Sequence, residues 1–188
     1  MALDRKFYNR DTLKVARDLL GKKLIRRIDG TELSGIIVET EAYCGESDSA
    51  CHAHRGKTLR NAVMFGPPGC AYVYFTYGMH YLLNLVTEEE GNPCAVLVRA
   101  ILPLAGLDEM QTRRKRRGKD LTNGPAKLCQ ALAIDKSFNG RDLTEGRQLW
   151  VEQYQSVPAK RIFVTPRIGI DYARKEDREA LWRFTMRP

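Results

Sequence analysis

The sequence predicts an α+β fold: one antiparallel or mixed β-sheet with a helical insertion and flanking helices. Three observations predict it. Short runs rich in Val, Ile, Tyr and Phe are separated by turn signals through the first half of the chain. Helical spacing of apolar residues is confined to one early segment and to residues 107–134. No repeat, low-complexity tract or Pro/Gly/Ser linker divides the chain, so residues 1–188 read as a single domain.

The elements follow in order. Asp11 can cap a helix whose apolar stripe is Leu13, Ala16, Leu19 and Leu20, with Gly21 placed to end it. Residues 22–28 read as a strand, Asp29-Gly30 as a two-residue hairpin turn, and Glu32 to Tyr43 as the returning strand. Residues 44–62 are polar and small, long enough to be a functional loop. Residues 71–77 and 81–86 form strands joined by a turn at Gly78-Met79, and residues 95–102 a very apolar strand interrupted only by Arg99. Helices are expected over 107–117 and 125–134. The second has Thr122 or Asn123 as its cap and Pro125 in the first turn, where a missing N–H costs nothing. Residues 147–152, 161–165 and 181–186 are the late strands.

Composition narrows the function classes. With 188 residues, 43% hydrophobic and 29% charged, the chain can bury a core without metal or disulfide staples and is not a disordered segment. No apolar run approaches the ~18 residues of a membrane span, and the first ten residues lack an apolar leader core. A cytoplasmic location follows as the expectation, with no membrane partner. The net charge is +8, and its distribution is uneven: residues 1–94 hold 12 basic and 12 acidic residues, residues 95–188 hold 19 and 11. A lopsided positive field suits a polyanion, although a solvated basic surface gives the same numbers. Five cysteines, an odd number without a CxxC pair, read as free thiols in a reducing compartment. Cys44, Cys51, His52 and His54 are zinc-ligand types, but the spacing C-x6-C-H-x-H fits no zinc site, so neither metal nor cofactor is expected.

Several residues can carry chemistry. Glu39, Glu41 and Tyr43 are two apart on a strand and share one face, so a cleft at that strand end would hold two carboxylates and a phenol. A carboxylate there can take a proton from water or stabilise a developing cation; a solvent-facing strand edge is the plainer reading. Tyr72, Tyr74, Tyr77 and Tyr81 fall within ten positions, either as sheet packing or as a platform for stacked bases. A buried Arg99 would require an anion, a carboxylate or a phosphate. The run Arg113 to Lys119 is a solvated helix end or a phosphate contact. Asn123-Gly124-Pro125-Ala126-Lys127 opens a helix with Gly124 and Lys127 disposed toward an anion, without Walker spacing.

These pieces together resemble a known family. The strings Ile37-Val38-Glu39-Thr40-Glu41-Ala42-Tyr43, then His52, then Tyr72-Val73-Tyr74-Phe75-Thr76-Tyr77-Gly78-Met79 appear in order. Asn84, Leu97-Val98-Arg99-Ala100 and Gly124-Pro125-Ala126-Lys127-Leu128-Cys129-Gln130-Ala131-Leu132 follow them. Over residues 13–184 the chain resembles the alkyladenine (3-methyladenine) DNA glycosylases of the mammalian N-methylpurine type. The resemblance implies a monomeric, monofunctional enzyme of base excision repair that flips a damaged purine from duplex DNA and hydrolyses its glycosidic bond, without strand cleavage. It implies Glu41 as general base for the attacking water, with Arg99 and the main-chain carbonyl of Ile168 helping to hold that water. Tyr43, His52 and Tyr74 become walls of the base pocket, and Asn84 the side chain that penalises the exocyclic amine of guanine. Tyr77 becomes the wedge that fills the gap in the duplex, while Gly124 and Lys127 are assigned to the DNA backbone. The short N-terminal region points to a bacterial, nucleoid-associated enzyme. No acid stands out for protonating neutral leaving bases. A non-catalytic nucleic-acid-binding module of the same fold, and a zinc hydrolase built on the Cys/His cluster, are the alternatives.

Overall fold

A meander of antiparallel strands organises the computed structural model, which describes residues 1–186 except for the side chain of Lys119. The strands are β1 (Lys23–Ile28), β2 (Thr31–Cys44), β3 (Ala71–Thr76), β4 (His80–Thr87), β5 (Cys94–Ala105), β6 (Leu149–Glu152), β7 (Ile162–Thr165) and β8 (Arg183–Met186). They lie in the order β3-β4-β5-β2-β1-β6, with β8 pairing β2 and β7 pairing β8. Every ladder among the described residues is antiparallel. Helices α1 (Arg5–Tyr8), α2 (Thr12–Asp18), α3 (Leu107–Arg114), α4 (Pro125–Ala131) and α5 (Lys175–Glu179) complete the regular elements. The helical insertion between β5 and β6 is α3 and α4, as expected.

Turn chemistry explains the hairpins. Asp29 and Gly30 join β1 to β2 with φ of 46° and 82°, the left-handed pair that a type I′ turn requires. At the other hairpin the expected turn shifts by one residue. Tyr77 (φ 51°) and Gly78 (φ 68°) occupy the left-handed positions, and the N–H of Met79 donates to the carbonyl of Thr76. Glycine takes that conformation freely; a tyrosine there is strained by about 1 kcal/mol or more.

Several expected boundaries move. α3 stops three residues early because Lys115 turns left-handed at its C-cap. α4 spans Pro125–Ala131, and its N-cap is Gly124, without a side-chain cap from Thr122 or Asn123. Helices α1 and α5 were not expected, since four and five residues carry no apolar periodicity; Asp4 caps α1 by accepting the N–H of Phe7.

The sheet has two faces of different character. On one, Leu83 and Leu85 of β4 and Val96 and Val98 of β5 are sealed against α2 and α4, joining Val15, Leu19, Leu128 and Leu132 in the main core. On the other, Tyr72, Asn84 and Leu97 open toward a cavity. Three slips in the β2–β5 ladder adjust the alternation, the first at Leu104, opposite the step from Ser34 to Gly35. The register slips next at Val38, between Ile37 and Glu39, and again at Arg99, opposite the step from Glu39 to Thr40. Each extra residue shifts the parity of its strand, so Ile37 faces the core while, past the slip, Thr40 and Ala42 do. Glu39, Glu41 and Tyr43 thereby take the face opposite the main core, where Tyr43 lines the cavity and Glu41 lies buried behind it, bonded to the wall residues Tyr43, Arg99 and Ile168.

Candidate active site

Glu41 lies in the middle of the sheet, with Leu97 of β5 on one side and Arg183 of β8 on the other. It is fully buried, 0% exposed. A buried carboxylate is costly unless it is paired and hydrogen-bonded, and this one is. Its Oε1 accepts the backbone N–H of Ile168 at 2.8 Å. Its Oε2 accepts the Tyr43 hydroxyl at 2.9 Å and Arg99 Nη1 at 3.2 Å. Arg99 also gives its Nε to Glu39 at 2.9 Å, and Arg183 Nε reaches the same Glu39 oxygen at 2.7 Å. Burial alone would make Arg99 less basic, but the carboxylates of Glu41 and Glu39 outweigh it and raise its pKa. The anion that Arg99 required is therefore protein carboxylate.

Tyr43, Arg99 and Ile168 line a cavity of about 300 Å³, at the lower end of the range for small-molecule sites. Its walls include Tyr72, Tyr74, His52, Asn84, Leu97 and Tyr172, and Tyr77 stands at the rim. The loop after β2 carries His52 back over β3. His52 Nδ1 and the Tyr72 hydroxyl share a 2.9 Å hydrogen bond, and the imidazole meets the Tyr74 ring edge-on at 4.5 Å. Burial, helped by the charge of Arg60, pushes the His52 pKa down to about 4, so the imidazole is neutral at physiological pH. Burial also raises the pKa of Tyr74 and, together with the Glu41 carboxylate, that of Tyr43; both stay neutral phenols. Asn84 is buried and donates its Nδ2 to the carbonyl of Tyr72 at 3.2 Å. The cavity thus offers the phenol rings of Tyr43, Tyr72, Tyr74 and Tyr172, a neutral imidazole and an amide beside one ionic cluster.

The structure brings seven of the expected residues together: Glu41, Tyr43, His52, Tyr74, Asn84, Arg99 and Ile168. Tyr77, 83% exposed, projects from the β3–β4 turn beside them. Gly124 and Lys127 lie apart. Lys127 Nζ is bound to Asp120 at 2.6 Å and Asn123 at 2.8 Å, and it is Pro125, next to Gly124, that reaches the cavity wall. In the basic run, Arg113 pairs with Glu109 and Arg114 binds the carbonyls of Asp120 and Leu121, while Lys115, Arg116 and Arg117 point outward. The Cys/His cluster disperses: His54 faces the carbonyl of Glu46, Cys51 the carbonyl of Pro93, and His52 the cavity. Among the described residues no group of three or more His, Cys, Asp or Glu is disposed to hold a metal ion, and no helix is long and apolar enough to cross a membrane.

Sequence reasoning missed Tyr172 and the hydrogen-bonding role of the Ile168 amide. A Gly-containing apolar segment ending in an aromatic, Ile168-Gly169-Ile170-Asp171-Tyr172, was the available signal.

Comparison with known proteins places the chain in a family. The family model described as methylpurine-DNA glycosylase matches residues 6–188. A relative from Carboxydothermus hydrogenoformans is 55% identical over 172 residues, 91% of this chain and 90% of its own. One from Methanocella arvoryzae is 51% identical over 184 residues, 97% of this chain and 90% of its own, and one from Desulfitobacterium hafniense 50% over 192, 97% and 93%. All three are named as candidate 3-methyladenine DNA glycosylases. With a family match across nearly the whole chain, and half or more of the residues shared with these relatives, the chain belongs to the methylpurine-DNA glycosylase family and is a DNA glycosylase.

Proposed function

We propose that this enzyme excises alkylated purines from double-stranded DNA by hydrolysis, with 3-methyladenine and 7-methylguanine as its principal substrates. Hypoxanthine and ethenoadenine are the neutral lesions the same pocket could admit. Tyr77 enters the duplex as the damaged nucleotide leaves it, at a cost of a few kcal/mol that is lowest for damaged bases. The base lies between Tyr43 and Tyr74, where stacking recovers roughly 1–3 kcal/mol and electron-rich phenols favour a cationic purine. Asn84 and neutral His52 give the pocket its polar selectivity.

The observation that carries the reading is the bonding of Glu41. A carboxylate has about four lone-pair sites, and Ile168, Tyr43 and Arg99 occupy three. The site left on Oε1 can accept a proton from one water, with the carbonyl of Ile168 as a second acceptor for it. The water oxygen bonds to C1′ as the C1′–N bond breaks. The bonding pair leaves with the base, and the water proton passes to Glu41. An alkylated purine carries positive charge and departs neutral, so no acid is needed; the oxocarbenium-like sugar is stabilised by the nearby carboxylate. Departure of a neutral lesion requires a proton on the base. The chemistry is that of a glycosylase without lyase activity, acting as a monomer, with Lys127 and the outward basic residues of 115–117 on the DNA backbone.

Release of free base from methylated duplex DNA, with and without EDTA, tests the proposal. The expected result is 3-methyladenine and 7-methylguanine in the supernatant at the same rate in both arms, with strands intact. No release, release abolished by chelation, or strand scission would each overturn it.

A further inference from the structure

Arg167 is buried 126 positions away from Glu41 in the sequence and is not among the walls of the cavity, yet it contacts the ring of one wall residue, Tyr43, and directly precedes another, Ile168. Both of its terminal nitrogens grip Asp48, Nη1 to Oδ2 at 2.5 Å and Nη2 to Oδ1 at 2.9 Å, and both side chains of this pair are wholly out of solvent. Nη1 also donates to the carbonyl of Ala42 at 2.9 Å and Nη2 to that of Asp177 at 3.1 Å. The guanidinium lies between two rings, 4.8 Å from the centroid of Tyr43 and 4.8 Å from that of Trp182. Asp48 in turn accepts the N–H groups of Cys44 and Ala50. One cation therefore fastens the loop after β2 to the segment 167–177. Tyr172 (its hydroxyl to the carbonyl of Ala50) and Asp177 (to Ser49) stitch the same seam.

The next residue, Ile168, gives its N–H to Glu41. Resting on the Glu41 reading above, we infer that Arg167, locked to Asp48, is a positioning residue for excision: it holds the Tyr43 ring from behind and sets the Ile168 amide under the Glu41 carboxylate. A bidentate guanidinium suits this task because its planar fork can grip both carboxylate oxygens and still lie flat between aromatic faces. Breaking a buried pair also destabilises a protein, so the test must separate mispositioning from unfolding.

Single-turnover release of base from methylated duplex, with enzyme in excess, does so. An unfolded fraction lowers the concentration of active enzyme and leaves the limiting first-order constant of the folded molecules unchanged; a displaced Ile168 amide or Tyr43 ring lowers that constant itself. Arg167→Met is expected to lose tenfold or more in the limiting constant. Arg167→Lys keeps the cation over Tyr43 but cannot make the bidentate grip, and should fall between Met and wild type, with affinity for undamaged duplex unchanged in both. If the Met variant does not fold, the Lys variant decides. A wild-type limiting constant in the folded variants overturns the inference. Glu41→Gln run alongside separates the two claims. If it loses release while the Arg167 variants keep the wild-type constant, only the positioning role falls; if it releases base normally, both fall.

Discussion

On one face of the sheet Leu83, Leu85, Val96 and Val98 are packed under α2 and α4; on the other, neighbouring residues of the same strands, Asn84, Leu97 and Arg99, line a cavity. The difference is one of division of labour at a period of two. The core face buries mainly apolar surface, and the hydroxyl of Thr40 there is satisfied locally by the carbonyl of Ala16. The cavity face keeps a carboxylate, a guanidinium, phenols and an imidazole out of water, and each is tolerated because another holds it: Glu41 by Arg99, Tyr43 and Ile168, and His52 by Tyr72. Stability should therefore come chiefly from the first face and activity from the second. Substitutions that separate the two sharpen the comparison, and those that fail to do so break it.

The largest stability effect belongs to the core. Leu83→Ala removes a fully buried side chain and should cost about 2–5 kcal/mol, lowering Tm by roughly 5–15 °C. Well below the new Tm, the excision rate constant should stay near wild type; a large loss there would mean that the faces are coupled.

Next is His52, which gives the cavity face its own pH signature. Its pKa is pushed down to about 4 in the folded protein, against about 6.5 unfolded. Between those values the unfolded chain binds a proton that the folded one refuses, so stability is lost as pH falls from 6.5 toward 4 and is unaffected by this group above 6.5. The contribution, wholly lost only below pH 4, is about 3 kcal/mol. Thermal melts of wild type and His52→Asn at pH 4.5 and 7 should show the variant losing less Tm on acidification; equal losses would contradict a buried neutral imidazole.

The smallest stability change comes with Tyr77. Tyr77→Gly relieves the left-handed backbone and should raise Tm by about 1–3 °C, after the entropy cost of glycine is deducted. Affinity for damaged duplex should fall about 5- to 150-fold, the equivalent of roughly 1–3 kcal/mol of stacking. Strain kept where function needs the side chain would then be measured directly. Unchanged affinity would remove Tyr77 from the interface.

How much of this could be read from the sequence follows local rules. Asp29-Gly30, the Pro125 helix start and the shared face of Glu39, Glu41 and Tyr43 were legible because turn chemistry and strand alternation act over a few residues. The bulges at Val38 and Arg99 were not, because an apolar run gives no sign of where a ladder will slip. Nor was the pairing of Arg167 with Asp48, or of the Ile168 amide with Glu41, since contacts across more than a hundred residues leave no periodic trace. The resemblance named residues that the structure gathers around one cavity; the Arg167–Asp48 pair behind Tyr43 came from the structure alone.

The central claim is that Glu41 activates water for attack on C1′. Its most direct test is single-turnover release of free base from methylated duplex DNA by wild type and Glu41→Gln, with affinity for an abasic-site duplex measured on both. The account predicts a fall of about a thousandfold or more in release, beyond the usual range for loss of one general base because the oxocarbenium loses its anion too. Abasic-site affinity should be retained. Release by Glu41→Gln near the wild-type rate would contradict it.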